Sequence, residues 1–147
     1  MKRGAIRLSR RHEWLVYLTL TLVFISGATW GWLHYVRKGE GQFGLTPRPA
    51  ELWMQRLHGG AAMLVLLLLG TLLVSHIPGA WQARRNRRTG SILAITLGFL
   101  IVTGYALYYA GDERLRAWAS WSHLSVGLAL PFLLAIHVWR GKGSRSS

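Results

Sequence analysis

Four long apolar stretches constrain this chain more than any other feature: residues 14–36, 52–77, 91–110 and 117–139. Each meets the ~20 residues that a helix needs to cross bilayer hydrocarbon. None carries Lys, Asp or Glu in its interior, and Arg56 lies one turn inside the second. Lipid offers no hydrogen bonds, so a spanning segment has to satisfy its own backbone as a helix. The connecting segments "RKGEGQFGLTPRPAE", "PGAWQARRNRRTG" and "GDERLR" are rich in Gly, Pro or charge and read as loops. The expectation is an all-α fold: an integral membrane four-helix bundle, one membrane domain over residues 1–147.

The charges give the topology. The formal net charge is +13, but it is unevenly placed. Residues 1–13 hold five Lys/Arg, residues 78–90 hold four and residues 138–147 hold three. Four spans put all twelve on one side. The other side has six Lys/Arg against four acids. The positive-inside rule therefore places both termini and the second loop in the cytoplasm, with the bacterial inner membrane as the expected location. The basic excess is topological, and nucleic acid is not an expected partner. The first apolar run is longer than a signal-peptide core, and no small-x-small site follows it, so it reads as a helix.

There is no cysteine. This excludes disulfides, thiolate metal sites, iron–sulfur clusters and covalently attached haem. With five acids in the whole chain, a carboxylate-rich metal cage is not expected either. Histidine remains as the metal donor.

The histidines follow an internal repeat. "LTLTLVFISGATWGWLHYV" is similar to "LAITLGFLIVTGYALYYAG", and "ELWMQRLHGGAAMLVLLLLGTLLVSH" to "RAWASWSHLSVGLALPFLLAIH". The repeat pairs His58 with His123, and His76 with His137. At about 100° and 1.5 Å per residue, His58 and His76 share a helix face roughly 27 Å apart, and His123 and His137 share one roughly 21 Å apart. The second and fourth spans run in the same direction. Facing each other, they would form one His pair near each membrane edge. Two imidazoles from facing helices are the axial donors of a b-type haem, with Gly59, Gly60 and Gly127 leaving room for the ring. The expected cofactors are two haem b groups, each bis-histidine.

The pieces "RRHEWLVYLTLTLVFISG", "RLHGG", "RRTGSILAITLGFLIVTGY" and "SHLSVGLALPFLLAIHVWRGKG" resemble the four-helix di-haem membrane cytochromes b of the cytochrome b561 superfamily, which includes the haem subunits of formate dehydrogenases and nickel–iron hydrogenases. The resemblance covers most of the chain. It implies His12, His58, His123 and His137 as iron ligands, with His58 and His123 on the periplasmic haem and His137 on the cytoplasmic one. The family pattern has His directly before Trp, whereas this chain has His12-Glu13-Trp14. Two candidates therefore stand opposite His137: His76, from the repeat, and His12, from the resemblance.

Softer roles attach to other positions. Arg56 is a candidate propionate partner, as are Arg140 and Lys142. Arg84, Arg85, Arg87 and Arg88 set topology. His34 reads as an interface residue or a quinone or propionate contact. The resemblance implies electron transfer across the membrane between the quinone pool and a periplasmic or membrane redox partner, docked through "KGEGQFGLTPRPAEL". The chain would act as a subunit of a quinone-linked oxidoreductase sooner than as an enzyme alone. The competing reading is a non-redox anchor, or a small proton or metal transporter. Such transporters usually add intramembrane Asp or Glu, which these spans lack.

Overall fold

The computed structural model describes residues 9–37, 40, 41, 44, 45, 48–84 and 86–143. The basic start through residue 8, residues 38, 39, 42, 43, 46 and 47 of the proposed docking loop, Arg85 and the side chain of Lys142 lie outside the described residues.

The described residues are helical apart from one very short ladder. Helix α1 spans Arg10–Tyr35, α2 Pro49–Val74, α3 His76–Gln82, α4 Arg87–Tyr109 and α5 Glu113–Gly143. Between α1 and α2, strands β1 (Glu40–Gly41) and β2 (Gly44–Leu45) pair antiparallel, with Glu40 opposite Leu45. Four helical stretches are long and apolar enough to cross a membrane: Arg10–Tyr35, Pro49–Gln82, Arg87–Tyr109 and Glu113–Gly141.

The helices begin three or four residues before the apolar runs do, because capping chemistry sets the start and hydropathy does not see it. Ser9 caps α1, its Oγ accepting from the His12 N–H at 3.2 Å. Pro49 occupies the first position of α2, where its fixed φ suits the helix and its missing N–H costs nothing. Asp112 accepts from the Leu115 N–H at 2.7 Å at the head of α5. The second span departs from a single helix. It breaks at Ser75, whose φ of −110° and ψ of −59° end α2, and His76 opens the short α3. Asn86 then takes a left-handed conformation (φ 52°) ahead of α4, a geometry that Asn tolerates better than most residues.

The chain divides at Ser75/His76 into two compact units. In the first, α1 packs on α2; in the second, α4 packs on α5. Both are antiparallel hairpins. Descending the first, His34 meets Glu51, Ser26 meets His58 and His12 meets Thr71. In the second, Thr103 meets His123 and Thr89 meets His137. The seams are lined by small residues: Ser26 is 1% exposed, Thr103 2% and Ala119 0%. Such residues let helix backbones approach closely where lipid removes the hydrophobic drive for association. The large apolar side chains point outward instead. Leu18, Met63, Leu67, Val74, Ile95, Val102 and Phe132 are all exposed. A face of that size would be a liability in water and is consistent with contact to lipid.

Candidate functional site: histidines on the hairpin seams

Three of the candidate histidines meet their hairpin partner in the same way. His58 on α2 donates from Nδ1 to the Val23 carbonyl at 2.9 Å, with the Ser26 hydroxyl 3.3 Å from the same nitrogen. His123 on α5 has Nδ1 2.9 Å from Thr103 Oγ1. The Thr103 hydrogen is committed to the Phe99 carbonyl at 2.9 Å, so the imidazole is the donor. His137, also on α5, has Nδ1 3.1 Å from Thr89 Oγ1, whose hydrogen goes to Asn86 Oδ1 at 2.7 Å. Asn86 also donates to the His137 carbonyl at 2.7 Å. In each neutral ring, a proton on Nδ1 leaves Nε2 as the lone-pair nitrogen.

Each ring also lies against a glycine that follows the hydroxyl residue. A Cβ on Gly27 would stand 2.8 Å from His58 Cε1, one on Gly104 3.4 Å from His123 Cε1, and one on Gly90 3.5 Å from His137 Cε1. The unit is thus a Ser/Thr-Gly pair facing an imidazole: Ser26-Gly27, Thr103-Gly104 and Thr89-Gly90. The hydroxyl sets the tautomer and the glycine makes room for the ring. Five of these six residues escaped the sequence reading; only Gly27 stood out there, in the Gly-x-x-x-Gly of "GATWG", a place where a neighbouring helix or a flat ligand can come close. Part of the signal was present: "SG" at 26–27 and "TG" at 103–104 both fall within the similar segments 18–36 and 93–111. The glycines expected to leave room for the haem behave differently. Nothing lies within 4 Å of a Cβ on Gly60, and one on Gly127 would meet only a Leu100 methyl at 3.9 Å.

His12 joins the set with a variation. Its Nε2 donates to Thr71 Oγ1 at 3.1 Å, since the Thr71 hydrogen serves the Leu68 carbonyl at 2.7 Å. Here the imidazole is on the first helix of the hairpin and the threonine on the second, the reverse of Thr89 and His137. Thr71 follows His58 by thirteen residues, about 20 Å of helix. His123 and His137, fourteen residues apart, are separated by about 21 Å. His58 and His12 on the first hairpin are therefore spaced nearly as His123 and His137 are on the second.

His76 is placed differently. It lies one residue past the Ser75 cap that ends α2, at the first position of α3, within the apolar stretch Pro49–Gln82. It belongs to the same unit as His137 and lies within electrostatic reach of that ring. Arg56 is exposed, with its guanidinium carbon 5.3 Å from the Trp53 ring centroid. Arg140 is exposed. Arg87 spans the turn before α4, donating to the Trp81 carbonyl at 2.6 Å and lying 4.9 Å from that indole's centroid.

Magnitudes decide what the seam bonds are for. Interhelical polar bonds in membrane proteins average about 0.6 kcal/mol, so four of them do little to hold the hairpins together. What they do is aim the rings. A ligating imidazole ordinarily gives its other N–H to a carbonyl, carboxylate or hydroxyl, which fixes its tautomer and orientation. His58, His123 and His137 have that arrangement. Among the described residues, no three His, Asp or Glu side chains converge as a metal-binding group. The histidines are offered singly on seams, as a bis-imidazole haem takes them from separate helices.

No protein-family model, curated protein or solved structure matches the chain.

Proposed function

We propose that the chain is a di-haem b-type membrane cytochrome, moving electrons across the bacterial inner membrane between the quinone pool and a redox partner. The observation that carries the reading is the equal spacing of seam histidines: His58 and His12 on one hairpin, His123 and His137 on the other, each ring oriented by a hydrogen bond to the facing helix. One haem would take His58 and His123 and the other would take His12 and His137. The residues present fit that group. Bound haem would supply one-electron chemistry at a potential set by its ligands and their hydrogen bonds. The protein's part is to orient the imidazoles through Val23, Thr103 and Thr89, and to keep water away with an apolar shell.

Of the two candidates opposite His137, His12 has the better support. Its spacing from His58 within its own hairpin, read through Thr71, equals the His123–His137 spacing to about one residue's rise, whereas His76 starts a separate short helix. Its ring needs one adjustment. To offer Nε2 it turns and releases Thr71, a bond worth well under about 1 kcal/mol.

The function is tested in sealed vesicles carrying the purified chain, with ferricyanide trapped inside and a short-chain quinol added outside. Bleaching of the trapped ferricyanide is expected. Bleaching no faster than in empty vesicles would refute transmembrane electron transfer.

A further inference from the structure

Two turns above the His58–Gly27 contact, the same seam holds another histidine in a different setting. His34 is seven residues past Gly27 on α1, and Glu51 is seven before His58 on α2. Seven residues are nearly two full turns, about 10 Å of rise, so both stay on the seam face. His34 Nδ1 and Glu51 Oε1 are 2.5 Å apart. The Glu51 side chain is 12% exposed and that of His34 46%. Trp30 stacks on the His34 ring, with centroids 4.7 Å apart and planes 13° apart, and Tyr35 meets its edge at 4.8 Å. The buried Trp30 Nε1 has no hydrogen-bond partner among the described residues.

An interhelical pin would account for the ion pair alone. It does not call for an indole N–H buried without an acceptor among the described residues, or for an imidazole left nearly half exposed. A carboxylate on Nδ1 holds the proton there and makes Nε2 the basic nitrogen, the arrangement by which an acid orients a histidine base. The site combines a base, a spare donor and a flat aromatic stack at a membrane edge. That combination suits an aromatic diol that becomes a dione.

We propose that this site takes a membrane quinol and that Nε2 of His34 accepts its proton. The proposal rests on the di-haem reading for its electron acceptor, a ferric b-type haem on the His58 side. Each quinol O–H that breaks gives its proton to Nε2 and its electron to that acceptor. Two such single-electron steps leave quinone. Between them the acceptor passes its electron on to the second haem and so returns to the ferric state, the imidazolium passes its proton to water, and Glu51 holds the ring.

The test uses the full chain purified in detergent with its cofactor. Binding of a heptyl-hydroxyquinoline N-oxide, a quinol mimic, is followed by fluorescence quenching. Reduction of the b-type band by a short-chain quinol is followed by stopped flow. His34→Gln should weaken mimic binding at least about tenfold, the loss expected of a hydrogen bond to a charged group, with the dithionite-reduced spectrum unchanged. Glu51→Gln keeps a partner for Nδ1, so it should leave binding near wild type and slow quinol-driven reduction about tenfold or more. Trp81→Phe, on the short helix α3, should change neither. Binding and reduction rate unaffected by both seam variants would overturn the proposal. A chain that carries no haem would sink the di-haem reading instead, and mimic binding would then judge the quinol site by itself.

Discussion

At Gly27 a single methyl group should separate an oriented imidazole from a displaced one. The added Cβ would stand 2.8 Å from His58 Cε1, closer than real Cβ contacts come. The ring is pinned by Val23 from α1, so it cannot yield without losing its orientation. Gly27→Ala is therefore expected to lower haem content from two per chain toward one, with helical circular dichroism retained. Gly60→Ala, facing open space, should keep both. Pyridine haemochrome assay of the two proteins checks this. Thr103→Val tests tautomer control on the other helix. It preserves shape and removes the acceptor of His123 Nδ1–H. Losing such an outer hydrogen bond typically costs about 10–100-fold in metal affinity. Faster haem transfer to apomyoglobin is expected from the variant, and an unchanged transfer rate would show that the hydroxyl does not orient a ligand.

Helices carry the choice between His12 and His76. The repeat favoured His76 because the second apolar run was read as one helix, and the face count from His58 assumed that continuity. Ser75 ends it, as a polar residue at an αR break that hydropathy averaging passes over. The expected outcome is that His12→Ala holds about one haem per chain and His76→Ala holds two; the opposite pattern would move the ligand to α3. Much of the rest was legible. Long apolar runs marked the four spans, and the repeat marked the two hairpins, because both properties follow from the periodic burial of side chains. The seam geometry was not legible. Thr71, Thr89 and Thr103 are ordinary helix residues in sequence, and only the pairing of one helix with its neighbour shows which histidine each one serves. Glu51 looked like a loop acid at the end of "RKGEGQFGLTPRPAE", yet it falls in the first turn of α2, where a negative charge suits the helix dipole and where it reaches His34.

Two hairpins of the same design, each with exposed Leu, Ile, Val and Phe, make a molecule that needs lipid outside and leaves little room for a water-soluble role. The charge asymmetry predicts its orientation. Since the chain has no native cysteine, single substitutions report sidedness without background. Ser9→Cys and Ala83→Cys should react with an impermeant maleimide only after the membrane is opened. Gly111→Cys should react in intact spheroplasts. The reverse pattern would invert the topology and exchange the sides assigned to the two haems. The account as a whole stands on the proposal that the seam imidazoles hold iron porphyrin. Its most direct test is the dithionite-reduced minus air-oxidised spectrum of the chain purified from haem-replete cells, read with haem counted per chain. The account predicts a sharp low-spin b-type band and two haems per chain, whereas a colourless protein would contradict it.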